Sequence, residues 1–570
     1  MAKSDRAFYA GIGALALLIA SIPYLYGLLN PLPGMTYTGL TYNIDDVAVY
    51  LSWIRQAADG HLFQRNLFNT GDQRGAVINL FALPLGGVSY LTSLTLPLVY
   101  HLARVLLGAA FLWAAFLLIR ETITQERARR WAFTFLCFAS GLGWVFGGYE
   151  PALGDNQSID LYQPEAISFL SLYYTPLFLA ALTLMVIFMT AVLRVERSGK
   201  AIDIWPAAIA GALLGNFHTY DVITVFAVYG AFRLVSDIRN RRVNSAAWVA
   251  FVIVLLPTCL TTAYTYYALI QDPLFRARNV ITRTASPIYV ALGFGLPLLY
   301  ALASVTPAIR NLLTDRPARI LLALWAALGL ALPYLPFDFQ RKLMMGVHIP
   351  ICLLAGCAIS GLTARLSGDF PKIAALFALL VAIPSNALFL LRDIGRLDAN
   401  IGSTEHRPFL SHGEAGALTW LRDHAQRDEG VLVSPDPASH KRFPFFPLRP
   451  YLGVLIPAWT GLPVYVGHGS ETARYGAKLA ETLNFFRDTT GDDLRRTFLK
   501  ENAIGYILYA NGLAVGQPTD AQGNPISDTQ GPYTPVSWTD ERFPPYLTPI
   551  YSGDEHEKII TIFRVEKGKL

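Results

Sequence analysis

Apolar positions in this chain come in long runs separated by short charged loops, until the pattern changes near the end. About eleven runs reach or approach the ~20 residues of helix that a bilayer core of ~30 Å requires. They begin near Phe8 to Leu29, Leu91 to Ile119, Trp131 to Tyr149, Ala166 to Leu193, Ile202 to Phe217, Val222 to Leu234 and Ala246 to Ile270, and close with Ile288 to Val305, Ile320 to Leu335, Leu343 to Leu362 and Ile373 to Leu391. The first is rich in bulky apolar residues and lacks a small-residue cleavage site, so it is a retained span rather than a removed leader. After Arg392 the patterning is that of a soluble domain. Ala417, Leu418, Leu421 and Ala425 fall at helical spacing within Glu414 to Arg427, with Gly430 as the stop signal. Further helices are expected over Glu471 to Phe486 and Asp492 to Asn502, and short strands at residues 431–434, 463–466, 504–509 and 559–565. Strands alternating with helices predict a small α/β domain over a mostly parallel or mixed sheet. The Pro-, Gly- and Asp-rich stretch Gln517 to Trp538 is expected to be a long exposed loop.

Basic residues orient the spans, because Lys and Arg accumulate in cytoplasmic loops. With Lys3 and Arg6 inside, alternate loops carry Arg120, Arg127, Arg129 and Arg130; Arg194, Arg197 and Lys200; Arg233, Arg239, Arg241 and Arg242; Arg310, Arg316 and Arg319; and Arg365 and Lys372. The opposite loops are poorer: Glu150 to Glu165 and the turn at His218 have none. The expected fold class is therefore a polytopic α-helical membrane protein of about eleven transmembrane helices with a C-terminal extracytoplasmic α/β domain. Residues 1–395 form the transmembrane domain, including a long first outer loop over 30–90, and residues 396–570 the exported domain. The expected location is the plasma (inner) membrane, with the N-terminus cytoplasmic and the C-terminal domain extracytoplasmic.

Composition agrees: 53% of residues are hydrophobic and 15% charged, against about 25% charged in a soluble chain. Disorder and coiled coil are excluded. A net charge of +5 is too small for a nucleic-acid binder, which gathers Lys and Arg on one face. Cys137, Cys259, Cys352 and Cys357 all lie in membrane runs, so neither a disulfide framework nor a zinc site is implied.

Five polar clusters fall on the outer side: Asp45-Asp46, Asp72-Gln-Arg74, His218-Thr-Tyr-Asp221, Arg276 with Arg278 and Arg283, and Asp338-Phe-Gln-Arg341-Lys342 with His348. The first outer segment says most. Val47, Tyr50, Leu51, Ile54 and Ala58 recur at helical spacing with Arg55, Gln56 and Asp59 opposite, an amphipathic helix suited to the membrane interface. Asn43 reads as its N-cap and Asp46 as its third residue, so the acidic pair is accounted for by capping and the helix dipole. The alternative is that one carboxylate, held at the membrane boundary, is a catalytic base.

A first span, then an acidic pair opening the helix Asp45-Asp46-Val-Ala-Val-Tyr-Leu-Ser-Trp-Ile-Arg-Gln-Ala-Ala-Asp-Gly, then a second short segment before the next span, resembles the GT-C superfamily of integral-membrane glycosyltransferases. The layout is most similar to the aminoarabinose transferase of lipid A and the protein O-mannosyltransferases, and an extracytoplasmic C-terminal domain is shared as well. The resemblance implies a polyprenyl-phosphate-linked sugar donor, an acceptor hydroxyl on a glycan, lipid or protein, and transfer on the outer face with inversion. It implies Asp45 as the base, with Asp46 as the alternative. Asp72 and Arg74 occupy the place of further donor or acceptor contacts, although the acidic-lysine motif of the family is absent there.

The departing phosphate develops negative charge that fixed cations stabilise in a low-dielectric site. Arg341 and Lys342 break the positive-inside pattern at the outer end of a span, and they are assigned to the donor phosphate with Arg276 and Arg278 as helpers. Snorkelling to headgroups is the plainer account of the basic pair. His218, Tyr220, Asp221 and His348 are candidate substrate contacts. His218 and Asp221 otherwise pair with each other, or share a divalent cation with Asp45, although scattered carboxylates and one His make no metal signature. Leu170 to Leu182 lines a groove for a prenyl tail or simply packs. Gly467-His468-Gly469-Ser470-Glu471-Thr472 opens a helix with Ser470 as N-cap, or binds an anion there. Two other functions fit an outer polar cluster: a transporter or flippase of lipid-linked glycans, and a silent anchor for the exported domain. A transporter calls for charges near the bilayer midplane, whereas these lie at the outer ends of spans.

Overall fold

The computed structural model describes residues 3–146, 157–278, 281–310, 316–401, 406–435, 449–512, 527–528, 531–538, 542–555 and 558–570. Of the loop expected over Gln517 to Trp538, residues 517–526 and 529–530 lie outside this set, as does the end of the run Trp131 to Tyr149. The chain divides into two compact units. One comprises Met1–Pro23, Tyr100–Tyr266 and Val280–Arg392, the other Tyr24–Val99, Tyr267–Asn279 and Asp393–Leu570.

Among the described residues seven helices are long and apolar enough to cross a membrane, or eight if the pair Leu376–Ala382 and Pro384–Asp398, bent by 41°, counts as one span. The other apolar runs are interrupted for identifiable reasons. Ala166 to Leu193 becomes two helices, Ser168–Tyr174 and Pro176–Ser198, because Pro176 has no N–H to continue the first and the Thr175 hydroxyl caps the second by accepting from the Leu177 amide. The run from Trp131 yields the 13-residue helix Glu126–Phe138. It ends where the Ser140 amide turns to the carbonyl of Ala382, and the amides of Gly141 and Gly143 turn to the Asp160 carboxylate. Val222 to Leu234 extends to the 21-residue helix Tyr220–Asn240, whose Arg233 is buried. Arg233 is thus no solvated loop charge: it pairs with Glu196 and, at 3.0 Å, with Asp237, as a buried cation must.

The segment between the first two spans and the tail share the second unit. Helix Ile44–Ala58 buries Ile44, Val47, Ala48, Val49, Leu51, Ser52, Ile54 and Gln56, more than one face, against helices Ala82–Thr92 and Ile456–Thr460. The expectation of a helix lying in the lipid interface is corrected here, since protein covers its apolar side. Its approach to Ala82–Thr92 depends on Gly86, where an added Cβ would stand 2.4 Å from the Ala57 Cβ and 2.6 Å from the Ala58 amide nitrogen. Strand Met35–Tyr37 pairs antiparallel with Phe409–Ser411, and helix His412–His424 starts from a capping box between Ser411 and Glu414.

The tail sheet is mixed, as expected. Gly430–Val433 runs parallel to Ile504–Gly512, which pairs antiparallel with Lys558–Val565, followed by Leu547–Glu555. Gly430, expected to stop a helix, instead begins the first strand. The expected strand at 463–466 is reduced to one bridge between Val431 and Val464, because the Val464 amide donates to the Leu67 carbonyl of the first outer segment while the Tyr465 amide donates to Val431.

The close approach at Gly86 has a direct consequence. Gly86→Ala should lower the thermal stability of the detergent-solubilised protein by about 1–3 kcal/mol. Gly87→Ala, whose Cβ would meet nothing within 4 Å, should leave stability unchanged or raise it by about 0.5–1 kcal/mol.

Candidate active site

Asn43 stands at the N-cap of the acidic helix, but in the left-handed region (φ 49°, ψ 53°) and without a side-chain cap bond, a conformation that Asn tolerates better than most residues. Its amide Nδ2 instead donates to Asp46 Oδ2 at 2.5 Å. The other oxygen of Asp46, Oδ1, lies 3.1 Å from His468 Nε2. Asp45 keeps some surface exposed, yet the surrounding protein raises its carboxyl above the ordinary value. Burial is the main cause and the charge of Asp46 the second, opposed by the amides of the helix's first turn.

His468 is the residue that sequence reasoning passed over. Helical spacing placed a helix from Glu471 with Ser470 as N-cap; the helix is Tyr475–Phe485 and its cap residue is Arg474. Residues 467–472 form a turn wrapped around the imidazole, so the expected anion site at a helix start is not present there. The amides of Ser470 and Glu471 both donate to His468 Nδ1 at 3.2 Å, and Phe68 presents its ring edge-on at 5.9 Å. Burial works against a charge on His468, but the hydrogen bond to Asp46 and the charges of Asp46, Asp45 and Glu471 outweigh it, so the imidazole is raised to about 9. The hydrogen bonds point the other way, because a ring nitrogen that accepts from two amides carries no proton. The amides hold the ring directly and decide the state: His468 is the neutral Nε2–H tautomer and donates to Asp46.

Glu471 extends the network. Its carboxylate takes Arg278 Nη1 through both oxygens, at 2.9 and 3.0 Å, and its carbonyl accepts from Asn66 and Asn69. Arg278 also lies over the Phe275 ring, which stacks on Trp53 of the acidic helix. Asn69 Oδ1 accepts from the Ala473 amide and from buried Lys478, whose ammonium is lowered to about 8 by burial first and the charge of Arg474 second, against Glu481. Arg276 and Asp72 are exposed. Arg74 lines an open polar cleft of about 580 Å³ with Gln56, Asp59, Arg65, Arg427 and Asp428.

The helical unit holds the other candidates. Arg341 Nε donates to Glu165 at 3.0 Å, and the Lys342 ammonium sits 4.5 Å above the Tyr220 ring centroid. Tyr220 packs against Phe339 and His218. A carboxylate and an aromatic face thus receive Arg341 and Lys342. His218 Nδ1 lies 3.0 Å from Asp221 Oδ1, but out of line for a hydrogen bond, and neither oxygen of Asp221 has such a partner among the described residues. His218 and Asp221 thus stand as a close pair, as expected, without an aligned hydrogen bond between them. Arg283 is exposed. His348 is buried, with its Nδ1 accepting from the Ser168 amide. Among the described residues no group of three or more His, Cys, Asp or Glu stands together as a metal site.

No protein-family model matches the chain, and no curated protein matches it. Solved structures do. The archaeal oligosaccharyltransferase AglB from Archaeoglobus fulgidus, in complex with an inhibitory peptide and a dolichol-phosphate, superposes with a TM-score of 0.53 at 12% identity over 90% of this chain and 70% of that one. ArnT from Cupriavidus metallidurans superposes with a TM-score of 0.51 at 13% identity over 89% of this chain and 93% of that one. Both are GT-C superfamily glycosyltransferases. The chain has the GT-C fold. The chain is a multi-pass membrane protein by its apolar helices and this fold, and its acidic pair opens a buried helix of the unit that also contains the tail.

The tautomer of His468 is measurable. At pH 8, where the carboxylates alone would keep the ring charged, ¹⁵N spectra of histidine-labelled protein should show one protonated and one unprotonated nitrogen for His468. Two protonated nitrogens would mean that the amide contacts at Nδ1 had given way.

Proposed function

We propose that this GT-C protein is a membrane glycosyltransferase that moves a sugar from a polyprenyl-phosphate donor to an acceptor hydroxyl on the outer face of the plasma membrane. The N-terminus is then cytoplasmic and the tail extracytoplasmic. The observation that carries the proposal is an acidic pair at the first turn of a buried helix, one member with raised proton affinity, within a fold also adopted by a protein solved with a dolichol-phosphate and a peptide.

Asp45 is the base. Both oxygens of Asp46 are engaged, by Asn43 and His468, whereas burial makes Asp45 the better proton acceptor. The acceptor oxygen loses its proton to Asp45 and attacks the anomeric carbon as the bond from that carbon to the phosphate oxygen breaks. The electron pair leaves on the phosphate, where Arg341 and Lys342 stabilise it. A single displacement inverts the anomeric centre. Arg276 helps from an exposed position, while Arg278 joins only by releasing Glu471. Tyr220 supports Lys342, and the polar atoms of His218 and Asp221 suit sugar hydroxyls. Arg74 and Asp72 serve the acceptor, which is a glycan, lipid or protein.

Purified protein incubated with radiolabelled polyprenyl-phosphate sugars and candidate acceptors tests this. Asp45→Asn should lower kcat by about 10²–10⁴-fold, and Arg341→Ala by about 10²–10³-fold. Equal product from wild type and both variants would refute the assignment.

A further inference from the structure

We infer that His468, carried by the tail, is a positioning residue for the acidic pair: its ring is locked by the turn 467–472 and holds Asp46 from the far end of the chain, so the base-bearing helix is set by the C-terminal domain. This rests on the reading in which Asp45 is the base.

The ring has little freedom. Only 6% of the residue is exposed. Nδ1 accepts from the Ser470 and Glu471 amides and Nε2 meets Asp46. The turn is itself fixed: the Gly467 amide donates to Thr472 Oγ1, the Thr472 amide donates to the His468 carbonyl, and a side chain at Gly467 would stand 2.7 Å from the Gly453 carbonyl oxygen and 3.0 Å from Phe68. Asn66, Asn69 and Arg278 anchor its Glu471 end to two other outer segments. Asp46 is therefore gripped between a residue three positions before it and one 422 positions after it, and Asp45 sits beside it in the same first turn. A rotation of that turn would move Asp45 away from the acceptor proton, and a displacement near 1 Å costs about 100-fold in rate. The tail thereby takes part in the acidic site itself: without residues 467–472 Asp46 loses the contact with His468.

Two isosteric substitutions separate positioning from simple structural support. Asn at 468 can present an oxygen to the turn amides from the place of Nδ1 but cannot reach Asp46. Gln can present an N–H from the place of Nε2. In the transfer assay His468→Asn should lower kcat about 10–100-fold with KM within about twofold of wild type, and His468→Gln should stay within about threefold of wild-type kcat. Equal losses in the two variants, or no loss in either, would overturn the inference. Thermal unfolding of Asp46→Asn, His468→Asn and the double variant tests the pairing apart from activity: the double should be no less stable than the worse single, and additive losses would count against it. If wild type transfers no sugar from any lipid-phosphate donor, the proposed function fails while the thermal cycle still decides the pairing.

Discussion

A carboxylate surrounded by protein is costly unless hydrogen bonds replace the water it has lost, and helix Ile44–Ala58 begins with two in succession. The surrounding structure is arranged around that cost. Asp46 is compensated in full view of its neighbours, through Asn43 on one oxygen and His468 on the other. Asp45 keeps a raised affinity for the proton, mainly through burial and then through the charge of Asp46. Two adjacent acids thus differ in character because their environments differ, which is the arrangement that acid–base chemistry requires. The tail is tied to the same problem, since its turn supplies the imidazole and its Glu471 takes Arg278.

The basic residues follow a matching logic in the helical unit. Arg341 and Lys342 contradict the charge bias of membrane loops, and the structure gives each a local partner in Glu165 and the Tyr220 ring. Such partners hold the cations in place without burying them, as the proposed contact with a donor phosphate needs. Arg233, by contrast, is buried between Glu196 and Asp237 and belongs to packing. Burial and pairing separate two kinds of arginine that look alike in a list of loop residues.

Much of the fold was legible in the sequence because it depends on local periodicity. Long apolar runs gave membrane helices, and apolar residues three and four apart gave Ile44–Ala58 and His412–His424. What failed depends on partners far along the chain. Val464 could not show that its amide would serve Leu67 rather than a sheet, nor Ser470 and Glu471 that their amides would hold an imidazole instead of opening a helix. Leu547–Glu555 hides its strand character behind Pro549 and Gly553, and only its ladder to Lys558–Val565 reveals it. At the candidate site the acidic pair and the outer basic pair were visible as exceptions to composition and charge rules. His468 carried one weak signal, a histidine flanked by glycines, which says that backbone comes close to it but not which acid it meets.

The central claim is that the surroundings of Asp45 raise its proton affinity above the ordinary value, which makes its ionised carboxylate a stronger base. It can be read without any substrate, by following the ¹³C carboxyl resonance of Asp45 through a pH titration of aspartate-labelled, detergent-solubilised protein, with Asp45→Asn to assign it. The account predicts a midpoint above the ordinary aspartate value of about 3.9. A midpoint at or below that value would contradict it.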